Sequence, residues 1–450
     1  MKRWIDDHLE AWARRPSRKV LLLRGARQVG KTYAVRRLGA GFEHFVELNL
    51  DVDPRLHTLF ERTLDATEIV RALELWTNRP IEPGRTLLFF DEIQSCPKAI
   101  HALRYFHERL PGLHVVAAGS LLEFALEELA SFGVGRVESM YLHPLGFPEY
   151  LAAVAGPGLV EAIREASPAR PVQELVHLKI LEEFRRFSIL GGLPEVVQTF
   201  LDTGRPLECQ RLLRQLLQGY QADFSRYHAR VPTLRLQETL VSVAAQTGAK
   251  FKYSSATEGP GLPIKDALSL LGKAGLVHLA FHASGNGIPL QAEADPKRFK
   301  AFLFDSGLFQ QLLELDLDEL VLGDGAAWIN RGPLAEVVTA CEWIRSGDPL
   351  EPTLLHYWHR EARSSLAEVD FLLPLFGRVV PAEVKSGSGR RMKSLRIFLD
   401  EKHSPLGLRL CADNFSRSDR VVSVPIYATA FLRNYPWLRE LVLDSGARMA

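Results

Sequence analysis

The octapeptide Gly25-Ala26-Arg27-Gln28-Val29-Gly30-Lys31-Thr32 constrains the fold more than any other part of the chain. It matches the P-loop pattern G-x-x-x-x-G-K-[ST] at every fixed position, and it lies between an apolar strand pattern and a helical pattern. Glycines let successive backbone N–H groups surround a phosphate, and the helix that follows adds the positive end of its dipole. We therefore expect all eight residues to bind a nucleotide, with Lys31 at the β- and γ-phosphates and Thr32 as a ligand of Mg²⁺. A Gly-rich turn without a ligand is the alternative.

The region around this motif alternates short apolar strands with helical patterns. Strands are predicted at residues 20–23, 45–50, 86–90 and 114–118. Uninterrupted apolar strands separated by helices are typical of a parallel sheet that is covered on both faces. The predicted fold class of this region is therefore α/β, with the parallel sheet of a P-loop NTPase.

Two carboxylates follow the third of these strands. Asp91 and Glu92 come directly after the apolar run Leu87–Phe90, so they should lie at the sheet edge where the P-loop opens. Asp91 is the expected partner of Mg²⁺. Glu92 is the expected group that polarises the attacking water. A solvated Asp-Glu helix cap is the alternative reading.

Two further residues are candidates for the same site. Ser120 follows the strand at residues 114–118 and can contact the γ-phosphate or the attacking water, or else cap a helix over residues 121–129. Arg136 can act as an arginine finger, in cis or across a subunit interface, or it can be an ordinary surface arginine.

The overall composition restricts the class of protein. The chain has 450 residues, enough for two to four domains, and its 46% hydrophobic content excludes a disordered chain or a fibre. The 55 Lys and Arg exceed the 54 Asp and Glu by one, so no global field attracts nucleic acid or a membrane, although residues 1–40 carry a local basic excess. Four scattered cysteines and the lack of a long apolar run predict a cytoplasmic protein with no membrane span.

Residues 151–232 have mainly helical patterns, and residues 233–324 have the outline of a winged helix. In the latter, two helical stretches precede a Gly/Asn turn at residues 284–287 and an apolar return at residues 288–290. The expected recognition helix, Ile264–Ala274, holds only two lysines, so contact with DNA and contact with a protein both remain open.

The C-terminal region, residues 325–450, presents a second group of carboxylates. Asp370, Glu383 and Lys385 are expected on two strands of a hairpin, and Glu336 lies on the helix before it. Asp370, Glu383 and Glu336 could bind Mg²⁺ while Lys385 steadies developing charge. The basic Gly/Ser loop at residues 386–393 would suit a phosphate backbone or be a solvated loop. An active Mg²⁺-dependent nuclease, a fold used only for binding, and plain strand-edge charges all remain open.

Together these segments resemble the bacterial and archaeal AAA-type ATPases that carry a C-terminal domain of unknown function. The resemblance is carried by the P-loop, by Phe90–Gln94, by Gly119-Ser120 and Gly135-Arg136, and by later pieces at residues 144–150, 191–195, 304–308, 368–371 and 383–385. It implies ATP as the nucleotide and a homo-oligomer. The C-terminal carboxylates further resemble a restriction-endonuclease-like core. No second sensor arginine is evident after the ATPase core, which is a departure from the AAA pattern.

The predicted organisation is an ATPase domain at residues 1–150, a helical linker at 151–232, a winged-helix-like domain at 233–324 and a nuclease-like α/β domain at 325–450. The predicted function is Mg²⁺-dependent ATP hydrolysis that drives a nuclease-like domain on DNA. The alternative is a nucleotide-switched protein-interaction module with an inactive nuclease-like fold. A P-loop kinase is a third reading, which the Asp91-Glu92 pair disfavours because it selects water as the acceptor.

Overall fold

The computed structural model describes residues 1–120, 122–128, 135–227, 231–256, 262–314, 332–362, 365–385 and 392–444. These residues form two compact units. The first unit comprises Met1–His143 with the short segments Lys273–Gly275 and Gly347–Pro352, and the second comprises the other described residues from Pro144 onward.

The first unit contains a five-stranded parallel sheet. Its strands are β1 (Val20–Arg24), β2 (His44–Asn49), β3 (Thr86–Asp91), β4 (His114–Ala118) and β5 (Val137–Tyr141). They follow the order β2-β3-β4-β1-β5, and every neighbouring pair is parallel. The four predicted strands are present within one residue of their expected bounds, while β5 was not predicted. The sheet is consistent with a P-loop NTPase, which confirms this part of the predicted fold class.

Helices surround this sheet and bury its central strands. They are α1 (Trp4–Arg14), α2 (Lys31–Gly39), α3 (His57–Arg62), α4 (Ala66–Thr77), α5 (Pro97–Arg109) and α6 (Leu122–Glu128). All residues of β3 and β4 are buried, as expected for strands that are covered on both faces. Because the strands are parallel, the residues that follow β1, β3 and β4 meet at one edge of the sheet.

The second unit is rich in helices. The N-terminal group comprises α7 (Phe147–Ala155), α8 (Pro157–Arg164), α9 (Glu174–Leu190), α10 (Pro194–Thr203) and α11 (Pro206–Asp223). These five helices agree with the helical character predicted for residues 151–232. The later group comprises α12 (Thr233–Ala245), α13 (Leu262–Lys273), α14 (Ser306–Leu312), α15 (Gly332–Arg345), α16 (Lys393–Glu401) and α17 (Pro436–Asp444).

Two sheets complete the second unit. One has the order β7-β6-β8-β9 and is formed by β6 (Val277–Ala283), β7 (Ala294–Leu303), β8 (Leu355–Ala362) and β9 (Ser365–Val369). The other has the order β10-β11-β12-β14-β13 and is formed by β10 (Phe371–Leu375), β11 (Arg378–Val384), β12 (Gly407–Cys411), β13 (Ser416–Ser418) and β14 (Val421–Pro425). β10 and β11 form an antiparallel hairpin, and β11 continues into a parallel pairing with β12.

An antiparallel hairpin, β6–β7, lies in the region predicted as a winged helix, but its return strand was placed wrongly. The return was expected at residues 288–290, whereas β7 begins at Ala294, because Pro289 lacks an N–H donor and a 3-10 turn follows at Leu290–Glu293. The hairpin is also not free at its edge, since β6 pairs in parallel with β8. The expected boundary at residues 232/233 falls inside the second unit, and the one at residues 324/325 lies outside the described residues. The winged-helix and nuclease-like assignments stay predictions.

Among the helices that the structure describes, none combines the length and the apolar character needed to cross a membrane. The four cysteines are buried free thiols.

Candidate functional site

The P-loop lies where β1 ends and α2 begins. Gly25 has a φ of +141°, and a Cβ atom at this position would lie 2.1 Å from the carbonyl oxygen of Leu142. Only glycine fits such a close approach of two backbone segments. The loop then passes directly into α2, whose first residue is Lys31, so the N–H groups of the helix terminus face the same space as the loop.

Lys31 is folded back onto the P-loop. Its Nζ donates hydrogen bonds to the carbonyl oxygens of Gly25 (2.9 Å) and Ala26 (2.8 Å). The side chain is buried, and burial lowers the pKa of Lys31 to about 8, although the charges of Glu92 and Asp91 oppose this effect. A phosphate group would replace the two carbonyl acceptors with a negatively charged partner.

Thr32 and Asp91 lie side by side, as the predicted magnesium site requires. The Thr32 hydroxyl donates to Oδ2 of Asp91 at 3.0 Å, and the backbone N–H of Glu92 donates to Oδ1 of the same carboxylate. Burial raises the pKa of Asp91. A hydroxyl and a buried carboxylate that already touch each other are oxygen ligands of the kind that Mg²⁺ prefers, so these residues fit the ion.

Glu92 lies at the same edge, held by two side chains. Ser120 Oγ donates to Oε2 of Glu92 at 3.2 Å, and Nε2 of Gln94 donates to the same oxygen. Gly119 makes this approach possible, since a Cβ atom there would lie 2.0 Å from Oε1 of Gln94. The structure therefore brings Ser120 to Glu92. Its alternative role as a helix cap involves residue 121, which lies outside the described residues.

Sequence reasoning missed Arg3 as part of this site. The Arg3 side chain is buried, its Nη1 donates to the carbonyl oxygen of Val29 at 3.2 Å, and its Nη2 donates to that of His143 at 2.7 Å. One guanidinium thus joins the P-loop to the segment after β5. The signal in the sequence was only an arginine near the start of an amphipathic helix, which is a common surface feature.

Arg136 is not near the nucleotide site of its own unit. It directly precedes β5, its backbone oxygen accepts from the N–H of Val20, and its side chain pairs with Glu108 at 3.1 Å. Val20 begins β1, whereas the P-loop follows the other end of that strand. The geometry therefore does not support Arg136 as a finger in cis. A role across a subunit interface stays a prediction.

The local basic excess of residues 1–40 is largely paired within the first unit. Four arginines there contact carboxylates of that unit: Arg15 with Glu138, Arg24 with Glu123, Arg36 with Glu47 and Arg37 with Asp6. These carboxylates therefore offset part of the local basic excess.

In the second unit, the structure brings the predicted C-terminal residues together. The register of the β10–β11 hairpin pairs Phe371 with Ala382, which places Asp370 opposite Glu383. Oδ2 of Asp370 accepts from the N–H of Val384 at 2.8 Å, and Nζ of Lys385 contacts Oε1 of Glu383 at 2.7 Å. The hairpin and the convergence of these residues agree with the sequence analysis. The basic loop predicted at residues 386–393 falls mostly outside the described residues, since 386–391 are not described.

Two residues of this cluster were not foreseen. Nζ of Lys300, on β7, lies 2.6 Å from a carboxylate oxygen of Glu368, 3.2 Å from one of Glu336 and 3.6 Å from one of Asp370. Burial raises the pKa of Glu336 and of Glu383 to about 7. An ammonium group at the point where Glu336 and Asp370 converge does not fit the predicted Mg²⁺ site. The signal was Lys300 itself, a lysine within the apolar run at residues 299–304.

The remaining resemblance segments meet in a buried polar network. Asp305 accepts from the N–H groups of Gly192 (2.7 Å), Gly307 (2.9 Å) and Leu308 (3.2 Å), and Arg345 lies 3.6 Å from its carboxylate. Glu342 accepts from the N–H of Phe147 at 3.0 Å, at the start of α7. These segments satisfy buried backbone donors, which is a structural function.

A comparison with known protein families supports a nucleotide site in the first unit. Residues 17–151 match a family described as an AAA domain. Residues 181–319 and 331–428 match two domains of unknown function, DUF8612 and DUF4143. The first match supports an AAA-type P-loop ATPase domain at the N-terminal end of the chain. The other two assign no activity. None of the curated proteins compared with the chain matches it.

Two solved structures show partial likeness. A Walker-type ATPase of Pyrococcus abyssi is 15% identical, with 69% of this chain and 93% of that chain covered and a TM-score of 0.41. A DNA replication initiation factor is 11% identical, with 58% of this chain and 73% of that chain covered and a TM-score of 0.23.

Proposed function

We propose that this protein binds Mg²⁺-ATP through its first unit and hydrolyses it to ADP and phosphate. The observation that supports this most directly is the 3.0 Å contact between Thr32 and Asp91, beside Lys31 and Glu92, at one edge of a parallel sheet. Two separate parts of the chain thus come together at the place where phosphates, a metal ion and a water molecule would have to meet. The start of α2 contributes Lys31 and Thr32, and the end of β3 contributes Asp91 and Glu92. The AAA-domain match over residues 17–151 supports the same activity.

Each residue has a separate role in this proposal. The backbone of Gly25–Thr32 surrounds the phosphates, and Lys31 leaves its carbonyl acceptors to contact the β- and γ-phosphates. Thr32 and Asp91 would hold the Mg²⁺ ion, which supplies neutralisation of phosphate charge when it is bound. Glu92 orients the attacking water and accepts its proton, and Ser120 holds the Glu92 carboxylate in position.

ATP binding and turnover in two variants test this proposal. Lys31→Ala should abolish detectable binding of a fluorescent ATP analogue. Glu92→Gln should bind ATP normally while its rate of phosphate release falls by a factor of about 10² to 10⁴, because only the general base is lost. Lys98→Ala and Glu68→Gln change exposed residues of α5 and α4 and serve as matched controls. Unchanged turnover in both site variants would refute the proposal.

For the second unit we favour a binding role controlled by the nucleotide over nucleolytic cleavage. Its hairpin β10–β11, followed by α16 and the parallel strand β12, supports a restriction-endonuclease-like fold. The position of Lys300 among the carboxylates favours the inactive form of that fold. DNA and a protein are the two candidate partners, and a homo-oligomer would let Arg136 reach a neighbouring site.

The steady-state ATPase rate with and without duplex DNA separates these partners. A DNA-dependent increase that is lost at high salt would support DNA, because contacts to phosphates weaken as salt rises. An unchanged rate over a range of DNA concentrations would leave the protein partner as the supported candidate. Arg136→Ala, compared with Arg104→Ala on the exposed surface of α5, would lower turnover only if Arg136 acts between subunits.

A further inference from the structure

Lys300 is an unusual residue for its position. It lies on β7 with buried neighbours, Phe299 and Ala301, and its side chain has no exposed surface. A lysine is almost never fully buried unless its charge is compensated. Its surroundings must therefore provide anions, and they must remain in place for the strand to be stable.

Three carboxylates provide this compensation. Glu368, Glu336 and Asp370 surround Nζ of Lys300 at 2.6, 3.2 and 3.6 Å, and the ring of Tyr357 lies on it with its centroid 5.5 Å away. Glu368 and Glu336 lie within hydrogen-bond distance of the ammonium group, and Asp370 lies within ion-pair distance. Burial opposes the charge, and three carboxylates around one ammonium group offset that cost.

The cluster gathers residues from separate parts of the sequence. Glu336 comes from α15, Glu368 and Asp370 lie at the end of β9, and Lys300 comes from β7. Glu383 lies beside them on β11 and is buried; Oε1 pairs with Lys385, while Oε2 has no hydrogen-bond partner among the described residues. Oε2 of Glu383 is thus available to a cation, whereas Glu336, Glu368 and Asp370 already contact the ammonium group of Lys300.

We propose that Lys300 is a built-in cation that replaces a divalent metal ion in this carboxylate cluster, so that the wild-type second unit binds no metal there. The proposal concerns the second unit only and is independent of ATP hydrolysis by the first.

The geometry explains why both cations cannot be present. Mg²⁺ and Ca²⁺ need carboxylate oxygens at roughly 2.0 to 2.6 Å. An ion held by Glu336 and Asp370 would lie against the ammonium of Lys300, which those carboxylates contact directly. Lys300 is paired with Ala280 in the β6–β7 ladder, which fixes the backbone from which its side chain reaches the carboxylates. With Lys300 in place, no three His, Cys, Asp or Glu side chains in the described part of the chain are arranged to hold a metal ion.

Mn²⁺ binding by the nucleotide-free protein tests the proposal, with the free ion measured by electron paramagnetic resonance. Wild type, Lys300→Met and Lys297→Met are compared, since Lys297 is an exposed lysine of the same strand. All three proteins have the same P-loop, so a difference in Mn²⁺ binding between them arises at the carboxylate cluster. Lys300→Met should bind one additional Mn²⁺ per chain, at least about tenfold more tightly than wild type, because its carboxylates are released. Adding Glu336→Gln to Lys300→Met should remove the gain.

Two results would overturn the proposal. The first is Mn²⁺ binding by wild type that Asp370→Asn abolishes, because the metal would then coexist with Lys300. The second is a folded Lys300→Met variant, as judged by circular dichroism, that gains no Mn²⁺. If that variant does not fold alone, it is refolded with and without Mn²⁺. Recovery with Mn²⁺ but not with K⁺ would support the proposal, and no recovery would refute it.

Discussion

Glu92 shows how one residue connects the backbone to the proposed chemistry. Its φ of +48° lies in the left-handed region, which residues with side chains seldom adopt. The turn begins immediately after Asp91, so the two adjacent carboxylates diverge: Asp91 contacts Thr32, and Glu92 contacts Ser120. A regular strand would also separate them, but it would not place the second carboxylate at the end of β4. The unusual conformation is therefore consistent with a functional constraint.

Ser120 should matter through Glu92 and not through binding of the nucleotide. We predict that Ser120→Ala lowers kcat by about tenfold with little change in KM, because the lost hydrogen bond leaves the base less well oriented. Ser120→Thr keeps the hydroxyl and should retain most of the activity. Steady-state phosphate release measures both variants. A large rise in KM for Ser120→Ala would instead indicate direct contact with ATP.

Glu342 provides a prediction on pH. Burial raises the pKa of Glu342 to about 7 from its ordinary value of 4.5, although Arg345 opposes this shift. The folded protein therefore binds more protons than the unfolded chain between these values, and the stabilising contribution is lost as pH rises through about 7. Glu342→Gln cannot titrate. Its melting temperature relative to wild type should rise between pH 5 and pH 8, equivalent to at most about 3 kcal/mol.

Differential scanning calorimetry at several pH values tests this expectation. Glu351→Gln, an exposed glutamate, is the control and should show a constant difference from wild type. A Glu342→Gln difference that falls or stays level with rising pH would show that Glu342 is ionised throughout, with Arg345 as its dominant partner.

At the scale of elements, α1 is more than a cover for the sheet. Arg3, its N-terminal flanking residue, contacts the P-loop through Val29 and the segment after β5 through His143. Asp6 in the first turn accepts from the backbone N–H of Arg3 at 2.8 Å and so fixes the start of the helix. The residue that precedes α1 thereby holds the P-loop through the backbone carbonyl of Val29.

We predict that Arg3→Ala weakens ATP binding about tenfold, because a buried charged donor to two carbonyl groups is worth roughly 1.5 kcal/mol or more. Lys2→Ala, at an exposed neighbouring position, should have no effect. Titration with a fluorescent ATP analogue measures both. If Arg3→Ala lowers the melting temperature but leaves ATP affinity unchanged, the contact is structural only.

The elements also show which features a single sequence can reveal. The strands β1 to β4 were predictable because each is a continuous apolar run, and the P-loop was predictable because its glycines and lysine have fixed spacing. β5 was missed since its sequence, Val137–Tyr141, mixes apolar and polar residues and is only partly buried. Arg3 and Lys300 were missed because their importance depends on partners far away in the sequence, which no local pattern encodes.

At the scale of the whole molecule, the two units differ in how they handle negative charge. In the first unit, Asp91 and Glu92 lie beside a hydroxyl and a loop suited to phosphates. In the second unit, lysines of the chain already contact the carboxylates, with Lys300 bound to three of them. The first arrangement provides ligands for an external cation. The second arrangement already contains a cation, the ammonium group of Lys300. In the proposed scheme, one chain combines a site that would bind Mg²⁺ with a second group of carboxylates that already contacts a lysine.

This difference predicts the outcome of a cleavage assay on the intact protein. With ATP and either Mg²⁺ or Mn²⁺, wild type should hydrolyse ATP and leave supercoiled plasmid DNA uncut, because metal-dependent cleavage needs an ion that the carboxylates can hold. Glu383→Gln should leave both results unchanged, which separates the two units. Gel electrophoresis and phosphate release, measured on the same samples, provide the two readouts. Cleavage that disappears in both Glu383→Gln and Asp370→Asn would show that the second unit binds a metal despite Lys300, and the binding role favoured for it would then be wrong.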